Sequence, residues 1–121
     1  MTTNHDAAEA RALALVEEQL AAYNARDLAR FLACYSDDIA VWRVPAAEPA
    51  LAGKAAFGAF YANERFNRPG LRAEIVNRIV LGQRVIDHER IHGIGDAPME
   101  VAVAYEIAGG LIVRVHSFAR G

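Results

Sequence analysis

The chain has 121 residues, 54% of them hydrophobic, which is the size of one domain with a proper core. A net charge of −2 argues against a surface built for a polyanion, so no nucleic-acid partner is expected. Cys34 is the only cysteine, which excludes an internal disulfide and a cysteine-based zinc cluster, and no apolar run approaches the roughly 20 residues of a membrane span.

The start of the sequence lacks the basic and apolar regions of a signal peptide, and a cytoplasmic location with no membrane contact is the expectation. Thr3 and Asn4 can cap a first helix, whose apolar face is Leu13, Val16, Leu20 and Tyr23 at helical spacing. Gln19 lies on that face, a polar group aimed inward. Asn24-Ala25-Arg26-Asp27 breaks the helix, and Asp27 can cap a short second one with Leu28, Phe31, Leu32 and Tyr35 on its inner face. Cys34 falls beside Phe31 and reads as a small buried apolar residue. Ser36-Asp37-Asp38 ends this helix. A strand is predicted from Ile39 to Val44, stopped by Pro45, and a loop follows to Ala52.

Gly53-Lys54 opens a third helix with Phe57, Phe60 and Tyr61 on one face, ended by Asn67-Arg68-Pro69-Gly70. Lys54 is the only lysine and would have to serve any Schiff-base chemistry, but its place at a helix start suggests a solvated residue. From Leu71 the period changes to two. Strands are predicted at Leu71 to Leu81, Val85 to His92, Met99 to Ile107 and Leu111 to Ala119, with Gly82-Gln83 and Gly109-Gly110 as turns. Three helices followed by consecutive strands imply an α+β domain spanning residues 1–121, with helices on one face of a mostly antiparallel sheet.

The stretch Arg84 to Gly93 concentrates ionisable groups inside a strand. His88, Arg90 and His92 share one face with Ile86, and Asp87, Glu89 and Ile91 share the other with Val85. Each row mixes apolar and charged residues, so one charged row is expected to look into a pocket. His88 and His92 lie roughly 13 Å apart along a strand, too far to share one metal ion. No glycine-rich phosphate loop is present, and neither a metal nor a cofactor is expected.

The chain resembles the SnoaL-like and ketosteroid-isomerase-like branch of the nuclear-transport-factor-2-like superfamily, over roughly Ala10 to Ala119. The residues that carry the likeness are Tyr23-Asn24-Ala25-Arg26-Asp27-Leu28 with Tyr35-Ser36-Asp37-Asp38, then Gly53-Lys54 with Ala59-Phe60-Tyr61, then Gly110-Leu111-Ile112. The resemblance implies a conical α+β barrel, a cystatin-like roll whose helices cover a concave sheet. That fold hosts many activities. The positions that carry catalysis in ketosteroid isomerases align with Gln19, Arg43 and Val103, all of different type. Of the arginine and two aspartates of limonene-epoxide-hydrolase-like relatives, Arg90 keeps the arginine, and His92 and Ser117 stand at the aspartates. No pocket position keeps the acid of SnoaL-type cyclases.

In the register that the resemblance implies, the pocket row is Ile86, His88, Arg90 and His92. Neighbouring strands add Val41 and Arg43, then Val101, Val103 and Tyr105, then Val113, Val115 and Ser117. Gln19, Tyr23, Phe57 and Phe60 enter from the helices. Such a cavity suits a small, mostly apolar ligand with an acidic or carbonyl group. His88 or His92 would then be a general base, and Arg90 with Arg43 would stabilise developing negative charge, in an isomerase, lyase or hydrolase that needs no cofactor. Two other readings stay open. His88, Arg90 and Arg43 can instead be bound by backbone carbonyls, water or edge carboxylates around a vestigial cavity. A one-residue slip would instead turn Asp87 and Glu89 inward as acid and base. A ligand-binding or dimerisation domain without catalysis is the functional alternative. The outer sheet face, with Arg114, His116 and Phe118, is the expected homodimer surface, and Trp42 falls on the packing or interface side.

Overall fold

A computed structural model describes residues 4–120, with side chains from Asp6 onward. Thr3 as a cap and the side chains of Asn4 and His5 lie outside the described residues. Helix α1 (Asn4–Asn24) buries Ala12, Val16, Gln19 and Tyr23, a stripe at helical spacing. Helix α2 (Leu28–Leu32) starts as expected, with the Asp27 side chain accepting from the Arg30 backbone amide. Strand β1 (Tyr35–Arg43) begins four residues earlier than predicted. Tyr35 pairs with Ile112, so a backbone ladder claims it in place of another helical turn. Its ring still packs against Phe31, at 4.9 Å between centroids.

The expected loop after Pro45 contains a short strand β2 (Leu51–Ala52), antiparallel to β1. Helix α3 (Lys54–Glu64) follows Gly53, and strands β3 (Arg72–Leu81), β4 (Arg84–His92), β5 (Met99–Ala108) and β6 (Leu111–Ala119) complete one sheet in the order β2-β1-β6-β5-β4-β3. Every pair is antiparallel except β1 with β6, so the sheet is mixed.

The helices pack on the concave side around Phe31, which is 1% exposed and touches the rings of Tyr23, Tyr35, Phe57, Tyr61 and Phe66. Asn24, at the end of α1, clips the helix to the sheet. Its side chain donates to the Ala73 carbonyl at 3.1 Å and accepts the Ala73 amide at 2.7 Å. Among the described residues no helix is long and apolar enough to cross a membrane.

Candidate functional site

The helices and the concave sheet face enclose a cavity of about 250 Å³. Val41, Leu51, Ile91, Met99, Val101, Val103 and Val115 make its apolar wall. Gln19, Tyr23, Arg43, Phe60, Val103, Tyr105 and Ser117 all line it, as the sequence led us to expect. Phe57 does not. It is 1% exposed, stacked parallel to Phe31, and belongs to the core behind the cavity. Val113 is also absent from the lining, because the β5–β6 register shifts by one residue between Glu106 and Ile107 and hands the inward place to Ile112.

The charged row of β4 faces the opposite way to the one predicted. Asp87 and Glu89, with Val85 and Ile91, are buried on the concave side, at 0% and 6% exposure for the two acids. His88, Arg90 and His92 lie on the outer face with half-exposed Ile86. Strand pairing decides this. Val85, Asp87 and Glu89 stand opposite Tyr105, Val103 and Val101, and cross-strand partners share a face. The inward row of β5 is therefore inherited by the odd-numbered residues of β4.

The outer groups are satisfied by carboxylates. His88 Nε2 is 3.0 Å from Glu100 Oε1 and His92 Nε2 is 3.1 Å from Glu74 Oε1. Arg90 sits between them, 3.5 Å from Glu100 and 3.7 Å from Glu74. The ion pairs hold the Glu74 and Glu100 carboxyls below the usual range, by hydrogen bonding to the two histidines first. Neither His88, Arg90 nor His92 lines the cavity, so the roles expected for them there do not carry over. Arg90 also loses its match to the epoxide-hydrolase arginine, since that match needs an inward side chain.

On the inner row, the two acids differ sharply. Asp87 accepts a two-pronged contact from Arg78, Nε to Oδ1 at 2.6 Å and Nη2 to Oδ2 at 2.9 Å. Arg78 reaches inward because β3 shifts register between Ile75 and Asn77, which reverses its alternation. Among the described residues no cation forms an ion pair with Glu89, and Arg78 acts on it only through its charge. Glu89 Oε2 accepts from the Tyr105 hydroxyl at 2.9 Å, and among the described residues Oε1 accepts no hydrogen bond. Burial pushes its carboxyl up to about 7, against the lowering effect of the Tyr105 hydrogen bond.

A chain of hydrogen bonds extends from this carboxyl. The Gln19 amide donates to Tyr105 at 3.4 Å and accepts from the Tyr35 hydroxyl at 2.8 Å. Burial raises the Tyr35 and Tyr105 phenols well above their ordinary range, so both remain donors. Tyr23 also lines the cavity, but no group meets its buried hydroxyl at hydrogen-bonding geometry. Among the described residues no cluster of three histidine, cysteine or carboxylate side chains is placed to hold a metal ion.

Residues 16–115 match the family profile described as the SnoaL-like domain. The chain belongs to the SnoaL-like family. Among solved structures, this SnoaL-like chain is similar to a candidate ketosteroid isomerase from Kribbella flavida, with 20% identity, 93% of this chain and 79% of that one covered, and a TM-score of 0.79. It is also similar to a SnoaL-like protein of unknown function from Burkholderia thailandensis, with 20% identity, coverages of 93% and 96%, and a TM-score of 0.77. An uncharacterised cystatin-fold protein from Novosphingobium aromaticivorans matches with 23% identity, coverages of 88% and 96%, and a TM-score of 0.78. At these identities the likeness is one of fold. No curated protein sequence matches the chain.

Arg78, Tyr35 and Arg65 were not among the expected site residues, and Asp87 and Glu89 entered only through the alternative reading with the parity of the strand reversed. For the two acids a signal was present. With Val85 and Ile91 at its two ends, their row is more apolar than the row of His88, which carries only Ile86.

Proposed function

We propose that this SnoaL-like protein is a small cofactor-free enzyme in which Glu89 moves a proton on a mostly apolar substrate carrying an acidic or carbonyl group. An isomerase, lyase or hydrolase reaction fits this chemistry. One observation carries the reading: a carboxyl on the wall of an apolar cavity, held near neutrality by burial and oriented by Tyr105. A group titrating near the working pH can both accept and return a proton. Its Oε1 is free to take the proton, and Tyr105 holds Oε2 so that the carboxyl cannot rotate away. Gln19 and Tyr35 fix the Tyr105 hydroxyl in turn.

The test begins with a thermal-shift screen of carboxylates, steroids and polyketide fragments, followed by turnover of any stabilising compound. We expect Glu89→Gln to bind that compound and lose about 10²- to 10⁴-fold in kcat. His88→Ala and His92→Ala should keep their turnover, because their side chains face outward. Full activity in Glu89→Gln rejects the role of Glu89, and binding without turnover in the parent leaves a ligand-binding domain.

We also propose that two copies pair through the outer sheet face. Phe118 and Ile86 are 46% and 41% exposed there, beside the small residues Ala102 and Ala104. Arg84, Arg114 and Glu106 add both signs of charge to the same face, a pattern that can complement itself across a twofold axis.

A further inference from the structure

The open side of the cavity carries two arginines, Arg43 and Arg65, which line it together with Phe60. The Arg43 Cζ lies 5.1 Å from the Phe60 ring centroid and the Arg65 Cζ 4.9 Å from it. Arg65 donates to the Glu64 backbone carbonyl at 3.2 Å, and among the described residues no carboxylate forms an ion pair with either arginine. Two guanidiniums at one ring put two cations on the cavity lining with no carboxylate paired to balance them. A bound anion would supply that balance.

Tyr23 adds a polar group beside Arg65, whose guanidinium acts on its hydroxyl without reaching full hydrogen-bonding geometry. It is 7% exposed, lines the same cavity, and its hydroxyl is the one buried side-chain polar atom left without a partner among the described residues. Its ring packs against Tyr61 and Phe66, the aromatic residues on either side of the segment that holds Arg65. A buried hydroxyl without a partner is costly unless a ligand completes it.

We infer that this side of the cavity is an anion subsite, in which Arg43 and Arg65 take the carboxylate of an otherwise apolar substrate and the Tyr23 hydroxyl donates to one of its oxygens. Planar guanidiniums suit a planar carboxylate. The apolar body of the substrate then lies along Val101, Val103 and Val115, and its reacting atom faces Glu89. The substrate class is thus a monocarboxylic acid bound with its charge toward solvent. This deepens the proposed function and rests on the same cavity being a substrate site, yet it fails separately from the role of Glu89.

The experiment compares 2-naphthoate with its neutral isostere 2-naphthamide by calorimetric titration at low salt. The acid should bind at least about tenfold more tightly, the worth of one charge-assisted hydrogen bond. Arg43→Gln and Arg65→Gln should each erase most of that preference, and Arg84→Gln, on the outer face, should keep it. Tyr23→Phe should weaken naphthoate binding, since it removes a buried hydroxyl that has only the Arg65 guanidinium near it in the free protein. Equal binding of the two probes, a preference that survives both arginine substitutions, or no binding of 2-naphthoate up to its solubility overturns the subsite. Glu89→Gln should keep the preference for the acid. If that variant also keeps full turnover, the proton-transfer role falls and the subsite stands.

Discussion

Glu89 shows how one side chain couples the fold to pH. Its ordinary value is 4.5, and burial pushes it up to about 7. Below about pH 4.5 the folded and unfolded chains both hold the proton, and this group adds no pH dependence. Between the two values the unfolded chain releases a proton that the folded chain keeps, so stability falls as pH rises. Above about 7 both states are ionised and the penalty stays constant. A shift of this size corresponds to about 3 kcal/mol. Glu89→Gln should therefore be more stable than the parent at pH 8, with that slope absent between pH 4.5 and 7, as read from urea unfolding. A variant that keeps the slope would place its origin in another group. Glu89 was visible in the sequence as an ionisable residue within a strand. Its face was not, because a strand offers two, and only its pairing partners choose between them.

At the scale of elements, β4 is positioned by its two neighbours and by its end. The β3–β4 turn at Gly82-Gln83 has Gly82 at φ +61°, where a residue without a Cβ adopts the conformation at no steric cost. At the other end Gly93 has φ +90°, and a Cβ there would stand 2.3 Å from the Gly70 carbonyl carbon. This close approach of two backbones fixes the end of β4 beside the chain leaving α3. Gly93→Ala should cost about 3 kcal/mol, from the left-handed strain and the displaced backbone, measured by chemical denaturation. A loss below about 1 kcal/mol would mean that the Gly70 segment yields freely. The helices were largely legible, since Asp27 as a cap, Gly53 as a helix start and the aromatic face of the third helix follow from local chemistry. The start of β1 and the short β2 were not, because both depend on partners distant in sequence. The register shift in β3 was also hidden, and it carries Arg78 to Asp87.

For the whole molecule, the sheet separates two kinds of charge. The concave side holds a sparse set of acids, phenols and arginines in apolar surroundings, and the convex side holds alternating ion pairs such as His88–Glu100 and Arg84–Glu106. Exposed ion pairs contribute little to stability, so the outer row is tuned for solubility or contact more than for folding. If two copies pair through this face, sedimentation velocity should show a species of two chains, and Phe118→Asp should convert it to one chain with little change in Tm. A parent protein that sediments as a single chain at high concentration would reject the pairing.

The sequence by itself determined the class of fold, the order of most helices and strands, the turns, and part of the apolar and aromatic lining of the cavity. These follow from periodicity, caps and breakers, which act over a few residues. The tertiary structure decided which charged row the cavity receives. In the sequence, the resemblance favoured the His88 row for the interior, and only the apolar ends of the Asp87 row pointed the other way. The ladder between β4 and β5 sets Asp87 against Val103 and Glu89 against Val101, and the inward acids follow from that pairing. Burial then shifts the Glu89 carboxyl toward neutrality, while the histidines find carboxylate partners in solvent. Local patterns cannot supply this, because the face of a strand and the desolvation of a carboxyl are both properties of what surrounds them in space.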